Sequence, residues 1–196
     1  SSVGAPVVAG SAVVLRGGGR WRSSLDVRAL RLNNTESVRS DNPGKTKQHY
    51  GAGFLRTDQA VRALLDDRLF QSKFPVSQNS GDLDFLVPAT DGRTYTATLC
   101  WPRVAFDNVT PWDNLDLVVY DPNGQLLAVS TSPRNLQEHV VFRARSNGNY
   151  TLRVRLAARN VPSRELPFSL AFGQNVIAGR QLGTVERYGR GCLGSV

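Results

Sequence analysis

Two serine hydroxyls stand at the start of the chain, directly before an apolar stretch. Ser1 and Ser2 precede the run from Val3 to Leu15, whose side chains are small and apolar on nearly every side. Such a run predicts a buried helix, and Pro6 is compatible with it because proline is tolerated in a first helical turn. A serine in this position either caps the helix or, when a base is supplied, acts as a nucleophile beside N–H groups that stabilise an anion.

The residues that follow favour the nucleophile. The chain resembles the nucleophile motif of the subtilisin-like serine proteases in one string, Ser2-x-x-Ala5-Pro6-x-Val8-Ala9-Gly10. It departs from the family in lacking the glycine that precedes the serine pair. The resemblance implies that Ser2 is the catalytic nucleophile and that its backbone N–H is one donor of the oxyanion hole.

The same resemblance implies that the chain needs a partner. In the subtilisin order the catalytic aspartate and histidine precede the serine, so both are expected in an N-terminal segment of the same precursor. Neither His49, in a polar loop, nor His139, before a predicted strand, is expected to reach Ser2. The chain has no methionine, which predicts a processed or cut product. We therefore expect hydrolysis of a peptide or protein substrate only when that segment is bound against the apolar helix.

Side-chain oxygens are concentrated in one later stretch. The residues concerned are Asp113, Asn114, Asp116 and Asp121. Carboxylate and amide oxygens are the ligands that Ca²⁺ prefers, so the stretch predicts a structural calcium site. Hydrogen-bonded loop carboxylates are the alternative, because the alternation of a strand would turn Asp116 away from some of the others. No cofactor is otherwise required by the implied chemistry.

Two further helices follow the first. Gly17-Gly18-Gly19 ends the first helix, and Ser23 or Ser24 can cap a second one from Leu25 to Leu32. After a polar loop, Thr57 and Asp58 begin a third helix with an apolar stripe that runs to Leu69.

The remainder of the chain has the period of β-strands. Short apolar or alternating runs occur at 83–87, 95–100, 115–120, 126–129, 140–142, 150–156 and 168–172, and turn signals such as Asp91-Gly92 and Asn147-Gly148 separate them. This spacing predicts an antiparallel sandwich or jelly roll. The strings 113–119, 121–124 and 148–154 also resemble, in the same order, the β-barrel domain appended to certain large subtilases.

These observations together predict a mixed fold. We expect a helical C-terminal portion of an α/β subtilisin-like catalytic domain at 1–72, an all-β jelly-roll domain at 73–173, and a basic, glycine-rich extension at 174–196. Cys192 lies in this extension, and Cys100 lies in one of the predicted strands. The two cysteines are either a disulfide pair or two buried thiols.

The composition limits the classes of partner and the location that are expected for the chain. The net charge is +8, but the 24 basic residues are spread along the chain without a dense cluster, so no nucleic-acid partner is expected. No run approaches the length of a membrane span. Asn-x-Thr triplets at Asn33, Asn108 and Asn149 favour a secreted or extracytoplasmic protein.

Three function classes follow from these residues. The first is the C-terminal part of a subtilisin-like endopeptidase, and the second is an inactive binding or stabilising module derived from one. The third makes Ser1 an N-terminal nucleophile whose free amine is the base, and the helical pattern speaks against it. We expect the first.

Overall fold

The computed structural model describes residues 4–17, 22–36, 44, 51–103 and 112–174. Its helices are α1 (Gly4–Arg16), α2 (Ser24–Asn33) and α3 (Thr57–Leu65). Its strands are β1 (Thr35–Glu36), β2 (Phe54–Leu55), β3 (Leu69–Phe74), β4 (Gly81–Ala89), β5 (Thr94–Cys100), β6 (Asn114–Tyr120), β7 (Leu126–Ser130), β8 (Gln137–Arg143), β9 (Gly148–Ala158) and β10 (Leu166–Gln174).

Eight of the strands form two antiparallel sheets. One sheet has the order β3-β10-β5-β8 and the other has the order β4-β9-β6-β7, while β1 and β2 pair separately. Strand β9 buries alternate residues, as expected for a strand with one face on a core, and β6 does so at Leu115, Leu117 and Val119 with Val118 buried in addition. Trp101, Tyr150 and Phe168 are among the large side chains that fill the space between the sheets. The result is an eight-stranded double sheet of the jelly-roll kind.

The first of these sheets is buried on both faces. Every residue of β5 from Tyr95 to Cys100 is buried, although only alternate ones face the other sheet. Helix α2 packs on the outer face of β5 and β10, where the side chains are small. A second hydrophobic cluster therefore joins the helices to the sandwich, and it contains Leu15, Val27, Ala29, Leu30, Ala60, Ala63, Cys100 and Ala171.

The predicted fold class is wrong in its helical part. The described residues contain about twice as much strand as helix, with 45% in strands and 22% in helices. The three helices are not a portion of an α/β domain, because they bury their apolar residues against the outer face of the sandwich sheet and share one core with it. The sequence did not predict that the helices pack on the sandwich, because Thr96, Thr98 and Ser169, which lie under the helices, are polar and resemble solvent-facing strand positions.

One element boundary also differs from the prediction. Helix α3 ends at Leu65 rather than at Leu69, because Asp67 has a positive φ of 51° and the chain then turns into β3. Strand β3 was not predicted, and it pairs with β10 from Leu69 to Phe74. Strand β3 therefore spans the expected domain boundary between residues 72 and 73. The division into domains itself stays a prediction.

Candidate functional site

Ser2, the predicted nucleophile, lies outside the described residues, which begin at Gly4. The helix that follows it is described. Of the thirteen residues of α1, Ser11 and Leu15 are buried. Val7, Val13 and Val14 are 59%, 71% and 55% exposed, respectively. The helix that the sequence predicts to be buried thus presents a continuous apolar side to solvent in the described part of the chain.

A groove with a volume of about 380 Å³ lies between α1 and α2. Its lining includes Arg16, Arg28, Arg31, Ala12, Val27, Leu32, Ser24 and Gln137. One guanidinium N–H of Arg28 donates to Oε1 of Gln137 at 2.8 Å. Nε of Arg31 is buried and has no hydrogen-bond partner within the described residues. No local sequence pattern predicts this groove, because the three arginines come from two helices whose packing the sequence does not specify.

Asp113 is buried at the entrance to β6. Its Oδ1 accepts the backbone N–H groups of Asn160 at 2.6 Å and Val161 at 2.9 Å. Its Oδ2 lies 3.9 Å from a guanidinium nitrogen of Arg159, and each of these two side chains is 1% exposed. The backbone carbonyl of Asp113 accepts the indole N–H of Trp101 at 2.8 Å. Asp113 therefore holds the loop after β9 against β6, with Arg159 balancing its charge.

Asn114 and Asp116 lie together on the outer face of β6. The side-chain amide of Asn114 donates to Oδ1 of Asp116 at 3.4 Å. Asp116 is opposite Arg155 in the ladder between β6 and β9. Burial raises the pKa of Asp116, while Arg155 and the hydrogen bond from Asn114 act in the opposite direction. The carboxylate of Asp116 thus has a positively charged neighbour, Arg155, within the same chain.

Asp121 belongs to the turn that joins β6 to β7. Its Oδ1 accepts the backbone N–H groups of Asn123 at 2.9 Å and Gln125 at 2.8 Å. This is the hydrogen-bonded loop carboxylate that an Asx turn uses, and Gly124 follows with a positive φ of 77°.

The four predicted calcium ligands do not converge as a set. Asp121 is separated from Asn114 by the length of β6, which is about 20 Å for an extended strand. Calcium ligands lie about 2.3–2.6 Å from the ion, so these two side chains cannot share one. Among the described residues, no group of three or more His, Cys, Asp or Glu side chains is placed to hold a metal. Calcium binding by the individual residues stays a prediction.

The structure also brings together polar groups that the sequence analysis did not connect. Oε1 of Glu138 accepts the backbone N–H of Ser132 at 2.9 Å, and Oε2 accepts the hydroxyl of Ser130. On the opposite face of β8, Nδ1 of His139 lies 2.7 Å from the hydroxyl of Thr98. The alternation of β8 was the available signal, because Glu138 shares its face with the buried Val140 and Phe142.

Cys100 is buried and forms no disulfide with another described residue, and its pairing with Cys192 stays a prediction. Burial raises its pKa to about 12, with the charge of Arg28 acting in the opposite direction. Such a thiol is protonated at neutral pH and is a poor nucleophile. Cys192 and His49 lie outside the described residues.

Comparison with known proteins gives likenesses of fold alone. No family model and no curated protein matches the chain. Among solved structures, a periplasmic inhibitor of g-type lysozyme from Aeromonas hydrophila, PliG, is 14% identical over 54% of this chain and 83% of its own, with a TM-score of 0.37.

Two further structures give similar values. The pre-peptidase C-terminal domain of a Bacillus anthracis collagenase is 10% identical over 54% of this chain and 87% of its own, with a TM-score of 0.36. A Sulfurospirillum deleyianum protein, GEBA250068378, is 9% identical over 54% of this chain and 97% of its own, with a TM-score of 0.34. At these values the likenesses say nothing about what the chain does. Separately, none of the described helices is long and apolar enough to cross a membrane.

Proposed function

We propose that the chain is the C-terminal part of a subtilisin-like serine endopeptidase, with Ser2 as the nucleophile. A segment of the same precursor would supply the catalytic aspartate and histidine. The observation that carries the proposal is the apolar side of α1, which follows Ser2 directly and is exposed at Val7, Val13 and Val14. The proposal keeps the three helices as a layer on the sandwich and requires no α/β domain within these residues.

The energetics favour a bound partner. A fully buried valine side chain contributes about 1.5–3 kcal/mol relative to an exposed one. Covering the exposed valines of α1 would therefore stabilise a complex by several kcal/mol, before the cost of association is subtracted. A partner that covers this side of α1 would extend along the helix from Val13 and Val14 in its last turn to Val7 in its first turn, next to Ser2 in the sequence.

The roles in the reaction follow from the resemblance. The hydroxyl of Ser2 attacks the peptide carbonyl carbon and passes its proton to the partner's histidine, which later protonates the leaving amine. The partner's aspartate orients that histidine. The backbone N–H of Ser2 donates to the oxyanion.

An extracytoplasmic location is part of the proposal. Asn149, in one of the three Asn-x-Thr triplets, is exposed on β9 and is free to carry a glycan. Asn33, in another triplet, is 3% exposed and accepts a hydrogen bond from Thr98 at 3.1 Å, so it does not support the location.

The test is labelling with a fluorophosphonate of the chain produced together with the segment encoded upstream of it. We expect the two to co-purify and the label to map to Ser2 by mass spectrometry. Ser2→Ala should abolish the label, and the matched control Ser1→Ala should retain it.

Two outcomes would overturn the proposal. Co-purification without labelling of Ser2 would make the chain an inactive binding or stabilising module. Failure of the two to associate, with the chain alone folded and monodisperse, would remove the shared surface on which the proposal rests.

A further inference from the structure

Positive charge is concentrated in the groove between α1 and α2, which we name the arginine groove after Arg16, Arg28 and Arg31. None of the described residues that line it is acidic. None of the three arginines forms an ion pair with another described residue. Arginine stays protonated at any physiological pH, so the groove holds charge that the described side chains around it do not balance.

The nearest acidic residue on α2 does not compensate for this charge. Asp26 uses Oδ1 to accept the hydroxyl of Ser169 at 2.6 Å. Its Oδ2 accepts the side-chain amide of Gln71 at 2.5 Å and the backbone N–H of Ser23 at 2.7 Å. These bonds tie Asp26 to the sheet and to the start of its own helix, and its side chain is fully buried.

The donors in the groove are also incompletely satisfied. Nε of Arg31 is buried without a partner in the described part of the chain. A buried donor that lacks an acceptor is costly, and an acceptor oxygen brought by a ligand would remove that cost. Arg28 uses one of its five N–H donors on Gln137, which leaves others for a ligand and holds the guanidinium in place.

Apart from the arginines, Ser24 and Gln137, the described surface of the groove is apolar. Ala12, Val27 and Leu32 contribute side chains of α1 and α2 to it. Its volume of about 380 Å³ lies within the range of small-molecule sites. The planar guanidinium fork matches a carboxylate, which it can bind through two parallel hydrogen bonds. We propose that the arginine groove binds a small organic carboxylate that carries an apolar tail.

The test is a titration of the ¹⁵N-labelled chain with hexanoate, followed by amide chemical shifts. Acetate and hexan-1-ol are the matched probes, because the first keeps the charge without the tail and the second keeps the tail without the charge. We expect hexanoate to shift amides of α1 and α2, and each matched probe to bind at least about tenfold more weakly. The affinity should fall as salt is raised.

Variants separate the groove from general basicity. Arg28→Gln combined with Arg31→Gln is expected to weaken hexanoate binding about tenfold or more. Arg16→Gln changes an exposed residue and gives the same direction of effect if the double variant does not fold. Arg145→Gln, at an exposed arginine in the segment between β8 and β9, removes one charge as Arg16→Gln does, and this control should leave the affinity unchanged.

Three results would overturn the proposal. Equal binding of hexan-1-ol would mean that the arginines play no part. Equal binding of acetate would mean that the apolar lining plays none. An equal loss in Arg145→Gln would mean that hexanoate responds to net charge rather than to the groove. The proposal does not depend on Ser2 or on a partner segment, so its outcome is separate from that of the proposed function.

Discussion

Glu138 is a carboxylate enclosed between two sheets, with 2% of its surface exposed. Burial raises the pKa of Glu138, the hydrogen bonds from Ser130 and Ser132 offset part of the rise, and the charge of Asp116 adds to it. A group whose pKa is raised by folding contributes most to stability when it is protonated in both states. For Glu138 this contribution is present below its ordinary pKa of 4.5 and is lost as the pH rises through the raised value.

We therefore predict that Glu138→Gln gains stability relative to the parent as the pH rises. The glutamine keeps an acceptor for Ser132 and carries no charge, so the variant should become more stable relative to the parent as the pH is raised from 4.5 to 8. The free energy of unfolding in urea, measured at both pH values, tests this. Asp116 is present in both proteins, and its repulsion of the Glu138 carboxylate is part of what the substitution removes.

Asp84→Asn is the control with the opposite sign. The hydrogen bond from Arg153 lowers the pKa of Asp84, so its contribution is present above its ordinary pKa and is lost as the pH falls. The asparagine variant should lose stability relative to the parent at pH 8 and at pH 4.5 alike, and the difference should narrow only below the ordinary pKa of 3.8. A Glu138→Gln difference that is the same at pH 4.5 and pH 8 would contradict the assignment.

Helix α2 is fixed to the sandwich by a buried polar residue as well as by its apolar face. Asp26 forms a capping box with Ser23 and also binds Gln71 and Ser169, on β3 and β10. One carboxylate thus ends the helix and docks it. Its removal leaves three donors without an acceptor, and two of them are on the sheet.

We predict that Asp26→Ala destabilises the chain by about 3 kcal/mol or more, because hydrogen bonds to a charged group are worth about 1.5–3 kcal/mol each. Ser169→Ala removes one of these bonds and should cost about 1–2 kcal/mol. Asp58→Ala, at the exposed start of α3, should cost less than about 1 kcal/mol. Unfolding in urea measures all three, and a similar loss for Asp26→Ala and Asp58→Ala would refute the docking role.

The elements differ in how far the sequence predicts them. Seven strand runs and the start of α2 were recoverable, because alternation, turn residues and a serine cap are local signals. Strand β3 was not, because Gln71 and Ser72 are polar and its partner β10 lies about a hundred residues away in the chain. The outer face of β5, on which α2 packs, is equally hard to predict, since buried Thr96 and Thr98 resemble exposed positions until α2 is placed over them.

The candidate site residues also differ in how far the sequence predicts their roles, because local contacts leave a sequence signal and distant contacts do not. Asp121 serves a local turn, and its hydrogen-bonded role was one of the two alternatives predicted. The role of Asp113 depends on Arg159, Asn160 and Val161, which are more than forty residues away, so no local pattern reveals it. The arginine groove requires both the packing of α1 on α2 and the exposure of Arg16, neither of which the sequence shows.

One side of the molecule exposes apolar side chains, because α1 lies on the outside of a well-packed sandwich. Leu15 anchors the helix and is fully buried, whereas Val13 and Val14, one turn away or less, are exposed. Contiguous apolar surface of this kind marks a site of association in soluble proteins. The two classes of residue on one helix should therefore respond differently to substitution.

Val13→Ser combined with Val14→Ser is expected to change the free energy of unfolding by less than about 1 kcal/mol, because neither side chain is in the core. The same change should reduce self-association in sedimentation and the binding of an apolar dye, since it removes the exposed surface. Leu15→Ala, the matched change on the buried side, should cost about 2–5 kcal/mol and leave the exposed surface intact while the chain is folded. If the double serine variant instead unfolds as readily as Leu15→Ala, the valines belong to the core of the isolated chain, and the surface proposed for the partner segment is not free to receive it.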